Sequence, residues 1–501
     1  MKTRLHRLRD TLGEYVTHWS VTGAILAATG AAPEHWLADL FHEIHFPNDA
    51  LPLWVQHLDY RLIAVVAGLT IIVGDTVWRN HRRRPPPDVV VPQFANDALA
   101  GPPLPDKPSI AVLPFENLSG DTDQEYFSDG VADDIIIELS RDHALFVISR
   151  NSSFTFRGRS VDVKKVNQEL GVRYVVEGAV RRDSGRLRIS AQLVEALTGE
   201  HVWAERYDRA LQDIFSLQDE IARAVVASIR PALGEAEQRR VIRKPPNSLT
   251  AWESYQRGLW HLSKATQPEN QQAIPHFHGA INIDPVFASP HVGLALCYMR
   301  DALFFASRSA SEAGELISAE AREAITIDPG DSEAYVALSL AAAFAGDLQT
   351  ALEHAERAVE LNQNSAPAHW VRGGMLIYLG ETERGRADTM ISLRLNPRDI
   401  ISAWAANMIT TSYHIDRDYV HTLESARRTL ANYPTFPGSY RYIAAALAQL
   451  GQLDEARIEL RKWMTAAPAY FRVRTHERLP FVPIREHEHI LEGLRKAGLT
   501  D

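Results

Sequence analysis

The stretch GSYRYIAAALAQLGQLDEARIEL (residues 438–460) decides the fold of the carboxy-terminal half of the chain. Small and apolar residues recur at helical spacing on both sides of Gly451. Glycine tolerates the left-handed backbone conformation that ends many helices. The stretch therefore predicts two antiparallel helices that are joined by a turn opening at Gly451.

The same scheme recurs with a period near 34 residues. In 332–365, Ala351 and Ala358 lie where two antiparallel helices must approach closely, and in 368–387 Gly380 opens the turn. A proline, or once a glutamine, recurs near the end of each unit, at Pro285, Pro329, Gln363, Pro397, Pro434 and Pro468. A fixed period of this length is typical of helical repeat architectures.

This pattern resembles tetratricopeptide repeats. The resemblance implies a superhelix with a concave groove, because each unit exposes an apolar face until a neighbour stacks on it. About six units fit between residues 249 and 468, and HEHILEGLRKAGL (487–499) would cover the last exposed face. We expect a protein partner to bind the concave face, and four side chains are predicted contacts: Tyr335, His369, Arg372 and Tyr440.

The middle of the chain alternates between strand and helix patterns. SIAVLPF (109–115) predicts a strand, and an apolar residue at every fourth position of 126–140 predicts a helix with one buried stripe. Further strands are predicted at 144–149, 172–180, 186–196 and 201–209, and further helices at 161–171 and 214–233. We expect Gly171 to stop the first of these helices.

Eight acidic side chains lie within FENLSGDTDQEYFSDGVADDIIIELS (115–140). They could form a divalent-ion or catalytic cluster, or the solvated face of an ordinary helix. The second interpretation is favoured, because no histidine or basic residue is interleaved and the apolar stripe occupies the other face. RNSSFTFRGR (150–159) could likewise bind phosphate, although a polar loop is favoured.

The motifs IAVLPFENLSGD, NQELGVRYVVEGAVRR and LTGEHVWAERYDR resemble the TolB amino-terminal-like domain over about residues 107–235. The resemblance implies a small mixed α/β fold with an accessory or interaction role, and it brings no catalytic residues. Relatives of this type commonly carry an adenylate/guanylate cyclase, winged-helix or kinase domain in front of it.

Two apolar runs near the amino terminus predict membrane spans at about 15–33 and 61–79, with an external loop at 34–60. Basic residues precede the first run and follow the second, which favours a hairpin with both ends in the cytoplasm. A cleaved signal peptide, or a single span at 62–78, remains an alternative. The loop's four histidines could sense a metal or pH, although an amphipathic segment on the membrane surface is favoured.

The fold class is therefore predicted as multidomain, with amino-terminal transmembrane helices, a small mixed α/β domain and an all-α repeat solenoid. The predicted divisions are an anchor at 1–81, a proline-rich linker at 82–108, an α/β domain at 109–235, repeats at 249–470 and a capping tail at 471–501.

Net charge and missing motifs limit the functions that we expect. A net charge of −10 argues against a general nucleic-acid binder, and the single cysteine, Cys297, excludes an intramolecular disulfide. Walker, GxGxxG, GxSxG and HExxH motifs are absent from the sequence. We therefore predict a non-enzymatic protein of the bacterial inner membrane that binds protein partners and the lipid bilayer but no nucleic acid, with no catalytic residues, cofactor or metal.

Two other functions remain open from the sequence. One is a divergent or regulatory component of an adenylate/guanylate cyclase system, which the TolB-like resemblance suggests. The other is a periplasmic envelope-assembly factor, which would require the opposite membrane topology.

Overall fold

The computed structural model describes residues 107–121, 124–158, 162–183, 185–229, 247–305, 307–399 and 402–500. The predicted membrane anchor and nearly all of the proline-rich linker lie outside these residues. Among the helices of the described ranges, none has both the length and the apolar character needed to cross a bilayer.

The α/β domain is built on one mixed sheet. Its strands are β1 (Ser109–Val112), β2 (Glu116–Asn117), β3 (Phe146–Val147), β4 (Tyr174–Asp183), β5 (Arg186–Glu195) and β6 (Glu200–Ala210). The order is β3-β1-β4-β5-β6, with β2 also paired to β4. The first strands pair in parallel, whereas β4, β5 and β6 form an antiparallel meander.

Helices cover both faces of this sheet, and they are α1 (Glu125–Ser140), α2 (Arg150–Ser153), α3 (Val163–Leu170) and α4 (Ile214–Ile229). Successive side chains of a strand point to opposite faces. Ile110 accordingly packs with α1 and α4, and Ala111 packs with Val166 of α3. Gly171 ends α3 in the left-handed conformation, as the sequence predicted.

Strand β3 is shorter than the predicted 144–149 for a reason that lies outside the sheet. The amide of Ile148 still bonds to the carbonyl of Ile110 in β1. The next amide, that of Ser149, donates to the carbonyl of Leu395 in the repeat region at 2.9 Å. The chain therefore leaves the sheet to contact the repeats.

Six antiparallel helix hairpins form the repeat solenoid within the described residues, which confirms the predicted number of units. The hairpins are α5/α6 (Leu249–Ser263, Gln267–Ile283), α7/α8 (Ser289–Leu303, Ala310–Ile327), α9/α10 (Ser332–Phe344, Leu348–Leu361), α11/α12 (Ala366–Tyr378, Thr382–Leu395), α13/α14 (Ser402–Ile415, Tyr419–Asn432) and α15/α16 (Gly438–Gln449, Leu453–Ala466).

Small residues let the helices of each hairpin approach closely, as predicted. Ala351 and Ala358 are fully buried. Gly380 and Gly451 open their turns with φ of +93° and +78°, values that a residue with a Cβ rarely adopts. Local sequence therefore determines the hairpins.

Two further helices, α17 (Pro468–His476) and α18 (Ile484–Lys496), follow the last hairpin. Helix α18 packs on α15, where Gly493 lies so close to Ala445 that a side chain at this position would meet its Cβ at 2.8 Å. Leu491 and Leu494 complete a buried cluster with Trp463. Helix α18 thus covers an apolar face of the last hairpin.

Candidate functional site

The first helix of each hairpin packs beside the first helix of the next. Together they form one face of the solenoid, which the repeat resemblance predicts to be concave and which we term the concave face. The α/β domain lies against this face through α1, and twelve of the sixteen residues of α1 are buried. A helix with no solvated face is one that is packed on all sides. The sheet and α4 cover one side of α1, and the repeats cover the other.

Trp252 of α5 is the main apolar contact between the two domains. Its ring packs edge-on against Phe127 of α1 at 5.2 Å and against Phe215 of α4 at 6.1 Å. Its indole nitrogen donates to Oδ2 of Asp134 at 2.8 Å. The side chain is 1% exposed, so its apolar area is removed from water by both domains together.

Asn364, between α10 and α11, ties the repeats to the backbone of the α/β domain. Its Nδ2 donates to the carbonyl of Ser140 at 2.9 Å, and its Oδ1 accepts from the amide of Val147 at 3.3 Å. Ser152 of α2 contributes a second bridge, donating to Oδ1 of Asn396 at 2.6 Å. These bonds satisfy buried polar groups that would otherwise be costly.

Arg394 of α12 completes the junction at the end of α3. Its guanidinium donates to the carbonyls of Leu170 and Gly171 at 2.8 and 2.7 Å. A cation at the carboxyl end of a helix is favourable because the last carbonyls have no partner within the helix. Burial lowers the pKa of Arg394 to about 10, so the side chain remains charged at neutral pH.

The acidic stretch in α1 is not the solvated face that the sequence favoured. Asp129 and Asp133 are 4% and 5% exposed, Asp129 pairs with Arg157, and Asp133 lies 3.5 Å from Arg150. Burial raises the pKa of Asp129, although the neighbouring arginines oppose this shift. The prediction of a polar loop at 150–159 is also wrong within the described residues, because 150–156 is helical and Arg150 and Arg157 are the partners of these carboxylates.

The carboxy-terminal tail covers another part of the concave face. Tyr470 of α17 packs edge-on against Trp404 of α13, with ring centroids 6.2 Å apart. Phe481, between α17 and α18, packs on Phe344 of α9 and Tyr378 of α11 at 5.9 and 5.6 Å. Two segments of the chain itself therefore lie on the face where a partner was predicted.

A cavity of about 340 Å³ remains between α1 and the concave face. Its walls include apolar side chains of both domains, among them Ile136, Leu296 and Val336. Arg300 and Glu333 are the charged side chains that α7 and α9 contribute to the wall. This mixture of apolar walls and a few polar groups is typical of small-molecule sites, which often lie at domain junctions.

The carboxyl group of Glu333 has a pKa above its usual range. Burial raises its pKa to about 7, and the Oγ of Ser365 donates to it at 2.6 Å. The nearby Asp331 raises the pKa further, since a second negative charge disfavours ionisation. At neutral pH this side chain is therefore present in both protonated and ionised forms.

The four predicted partner contacts do not line this cavity. His369 and Arg372 both bond to Asp388 in the second helix of their own hairpin, through Nδ1 of His369 at 2.6 Å and Nη2 of Arg372 at 2.7 Å. Tyr335 lies near His354, also within its own hairpin, and Tyr440 packs against the core of the last hairpins. Their contact with a partner stays a prediction.

His369 and Arg372 do line an open surface cleft, which we term the junction cleft. It has a volume of about 570 Å³ and is formed by Lys107, Leu145, Phe146, Val359, Glu360, Gln363, Asn364, His369, Arg372 and Ile391. Ile391 and its neighbour Met390 are 41% and 61% exposed. Both domains contribute to this cleft, so their docking creates it.

No group of three or more histidine, cysteine, aspartate or glutamate side chains in the described ranges is arranged to hold a metal ion. The buried thiol of Cys297 has its pKa raised to about 12 by burial, so it is a poor nucleophile.

The α/β domain is similar to a known family. The family model described as "HilA/YgeH-like transcriptional regulator, second domain" matches residues 106–224. This match does not confirm the predicted TolB-like domain.

A curated relative from Rhizobium meliloti (strain 1021), "Putative adenylate cyclase 3", is 40% identical over 276 residues, which is 55% of this chain and 45% of that protein. The chain thus spans less than half of the relative's length.

Two solved structures are similar to parts of the chain. A thermophilic TPR protein from Thermus thermophilus is 19% identical over 41% of this chain and 99% of that one, with a TM-score of 0.31. TolB from Acinetobacter baumannii is 16% identical over 28% of this chain and 31% of that one, with a TM-score of 0.21. The solenoid assignment rests on the hairpin geometry described above.

Proposed function

We propose that this chain is a non-enzymatic, membrane-anchored scaffold that binds a protein partner at the junction cleft. The observation that carries the proposal is the shared core, in which Trp252 and Phe127 belong to one apolar cluster that continues through both domains. A domain pair with a continuous core presents its surface as one rigid platform. Helical solenoids commonly serve as binding surfaces of this kind.

The junction cleft favours a partner segment that presents an apolar side chain. Ile391 and Met390 offer exposed apolar area, Lys107 and Glu360 are charged groups of opposite sign in the lining, and Arg372 is already paired with Asp388. Exposed apolar side chains beside a cleft are typical of interaction sites. His369 and Arg372 would then act at this cleft and not on the concave face.

The predicted amino-terminal spans would hold this platform at the inner face of the cytoplasmic membrane. Basic residues on the outer flanks of both apolar runs support this orientation. Alkaline phosphatase fusions test it: activity is expected for a fusion in loop 34–60 and not for a fusion after residue 501. The reverse pattern would support the periplasmic alternative.

Photo-crosslinking in intact cells tests the partner proposal. A benzoylphenylalanine at position 390 of the full chain should give a discrete protein adduct that Ile391→Asp removes. Met464→Asp is the matched control, because Met464 is 46% exposed on α16 and does not line the cleft. An adduct at position 390 that Met464→Asp also removes, or one that Ile391→Asp leaves unchanged, would contradict the proposal.

A second candidate is a regulatory component of an adenylate cyclase system. The 40% identity to a protein with that name favours it. Purified full chain is expected to form no cyclic AMP from ATP, but to change the rate of a cyclase with which it co-purifies. Formation of cyclic AMP by the purified chain alone would overturn the non-enzymatic proposal.

A further inference from the structure

We propose that the cavity between α1 and the concave face is a binding site for a small monocarboxylate that carries a short apolar chain. This site and the junction cleft have only Asn364 in common among their lining residues. It would make the scaffold responsive to a small molecule, whichever protein binds outside.

Arg300 supplies the attraction for an anion. Its side chain lines the cavity, is 5% exposed and donates through Nη1 to the carbonyl of Leu262. Its Nε has no hydrogen-bond acceptor among the described residues. The negative charge of Asp399 acts on the guanidinium, but the carboxylate of Asp399 accepts hydrogen bonds from Asn151 and Asn396. A buried guanidinium with an unsatisfied donor is costly, and an anionic ligand group would offset that cost.

Two acids that line the cavity have hydrogen-bond or ion-pair partners of their own, although Asp399 also acts on Arg300 electrostatically. Asp133 pairs with Arg150 at 3.5 Å, and Oδ2 of Asp399 accepts from Asn151 and Asn396 at 2.6 and 2.9 Å. The charges around the cavity favour a ligand with one negative charge over a ligand with two. A phosphate dianion would also lie near Glu333 and Asp331, which line the cavity. A carboxylate matches the planar donor pattern of a guanidinium.

The rest of the wall accounts for the apolar chain of the ligand. Ile136 and Ile137 of α1 face Leu296, Val336 and Leu340 of the repeats across the cavity. Burying a short alkyl chain among such side chains would strengthen binding with each added methylene. The volume of about 340 Å³ accommodates a ligand of this size, since small-molecule pockets start near 300 Å³.

The ligand would contact both domains at once, because α1 and the first helices of the repeats form opposite walls. Binding would therefore stabilise the docked arrangement relative to any state in which the domains separate. The ligand would in this way strengthen the platform that forms the junction cleft.

Octanoate is a suitable probe, and 1-octanol is its uncharged counterpart. Titration calorimetry of the purified full chain should show saturable octanoate binding at about millimolar or lower concentration and at least tenfold weaker binding of octanol. Arg300→Met should weaken octanoate at least tenfold and leave octanol binding nearly unchanged. Ala337→Phe, which fills the cavity from α9, should remove both.

Arg474→Met is the matched control. Arg474 is 6% exposed and donates to the carbonyl of Leu303, so it resembles Arg300 in burial and bonding, but it does not line this cavity. It should leave octanoate affinity unchanged. Absence of saturable octanoate binding by the wild type, equal affinity for octanol, or octanoate binding that survives both Arg300→Met and Ala337→Phe would overturn the proposal.

Discussion

The indole nitrogen of Trp252 donates a hydrogen bond to the carboxylate of Asp134 at 2.8 Å, and this bond joins the first repeat helix to the central helix of the α/β domain. The two residues are 118 positions apart. Phe127 and Phe215 enclose the same indole ring. The α/β domain and the repeats therefore stabilise each other, and neither is expected to be fully stable alone.

Removing the indole should destabilise both domains. Trp252→Ala deletes a fully buried ring and leaves Asp134 without this donor, so we expect a loss of about 3–5 kcal/mol in the free energy of unfolding. Urea denaturation of the full chain measures it. Trp260→Ala on the same helix is the control, because Trp260 is only half-buried, and it should cost clearly less.

Gly130→Ala should be destabilising even though alanine is the better helix former. A Cβ at this position of α1 would meet Cδ of Gln256 at 2.6 Å and Cζ2 of Trp252 at 2.7 Å. The clash is expected to outweigh the gain of about 1 kcal/mol in helix propensity. An unchanged or raised melting temperature would show that α1 can move away from α5 at little cost.

Glu333 should make the protein less stable as the pH rises from about 4.5 to about 7. The unfolded carboxyl ionises near pH 4.5, whereas burial raises the folded pKa to about 7, so the folded state binds more protons in this window. The free energy of unfolding of Glu333→Gln, relative to that of wild type, should therefore rise by about 2–3 kcal/mol between pH 4.5 and pH 8. Chemical denaturation at both pH values measures this difference, and equal pH dependence of the two proteins would refute the assignment.

His414 should make the protein less stable as the pH falls, which is opposite in direction to the effect of Glu333. Its ring is 2% exposed, neither nitrogen has a hydrogen-bond partner among the described residues, and burial lowers its pKa to about 3. His489, Arg417 and Arg441 lower it further. The unfolded state therefore takes up a proton first, and stability falls as the pH drops below about 6.5.

The matched variant for this effect is His414→Phe, which keeps an aromatic ring next to Tyr442. Between pH 7.5 and pH 5, the free energy of unfolding of this variant should fall by about 2 kcal/mol less than that of wild type. Thermal unfolding at the two pH values provides the comparison. A variant that loses as much as wild type would show that His414 is not the group that titrates.

The repeat solenoid could be predicted because its determinants are local. The small residues Ala351 and Ala358 and the turn glycines Gly380 and Gly451 act within single hairpins, so a period in the sequence reveals them. The strand and helix alternation of the α/β domain is local in the same sense. The sequence did not predict the short strand β2 or the short helix α2, and β1, β3 and β4 end at other residues than predicted.

The docking of the two domains could not be predicted, because its contacts join residues far apart in sequence. Asn364 bonds to Ser140 across 224 positions, and Arg394 bonds to Leu170 across the same separation. Asp129 and Asp133 looked solvated because their arginine partners come from a separate segment after the helix. A polar residue on a helix is thus ambiguous until the element that packs on it is known.

Hydrogen exchange of the full chain tests most directly whether the α/β domain occupies the concave face. Peptides from α1 and from α9 should open with the same free energy, and Trp252→Ala should lower the protection of both by a similar amount. Fast exchange of α1 while α9 remains protected, or loss of protection in only one of them after Trp252→Ala, would contradict the docked arrangement.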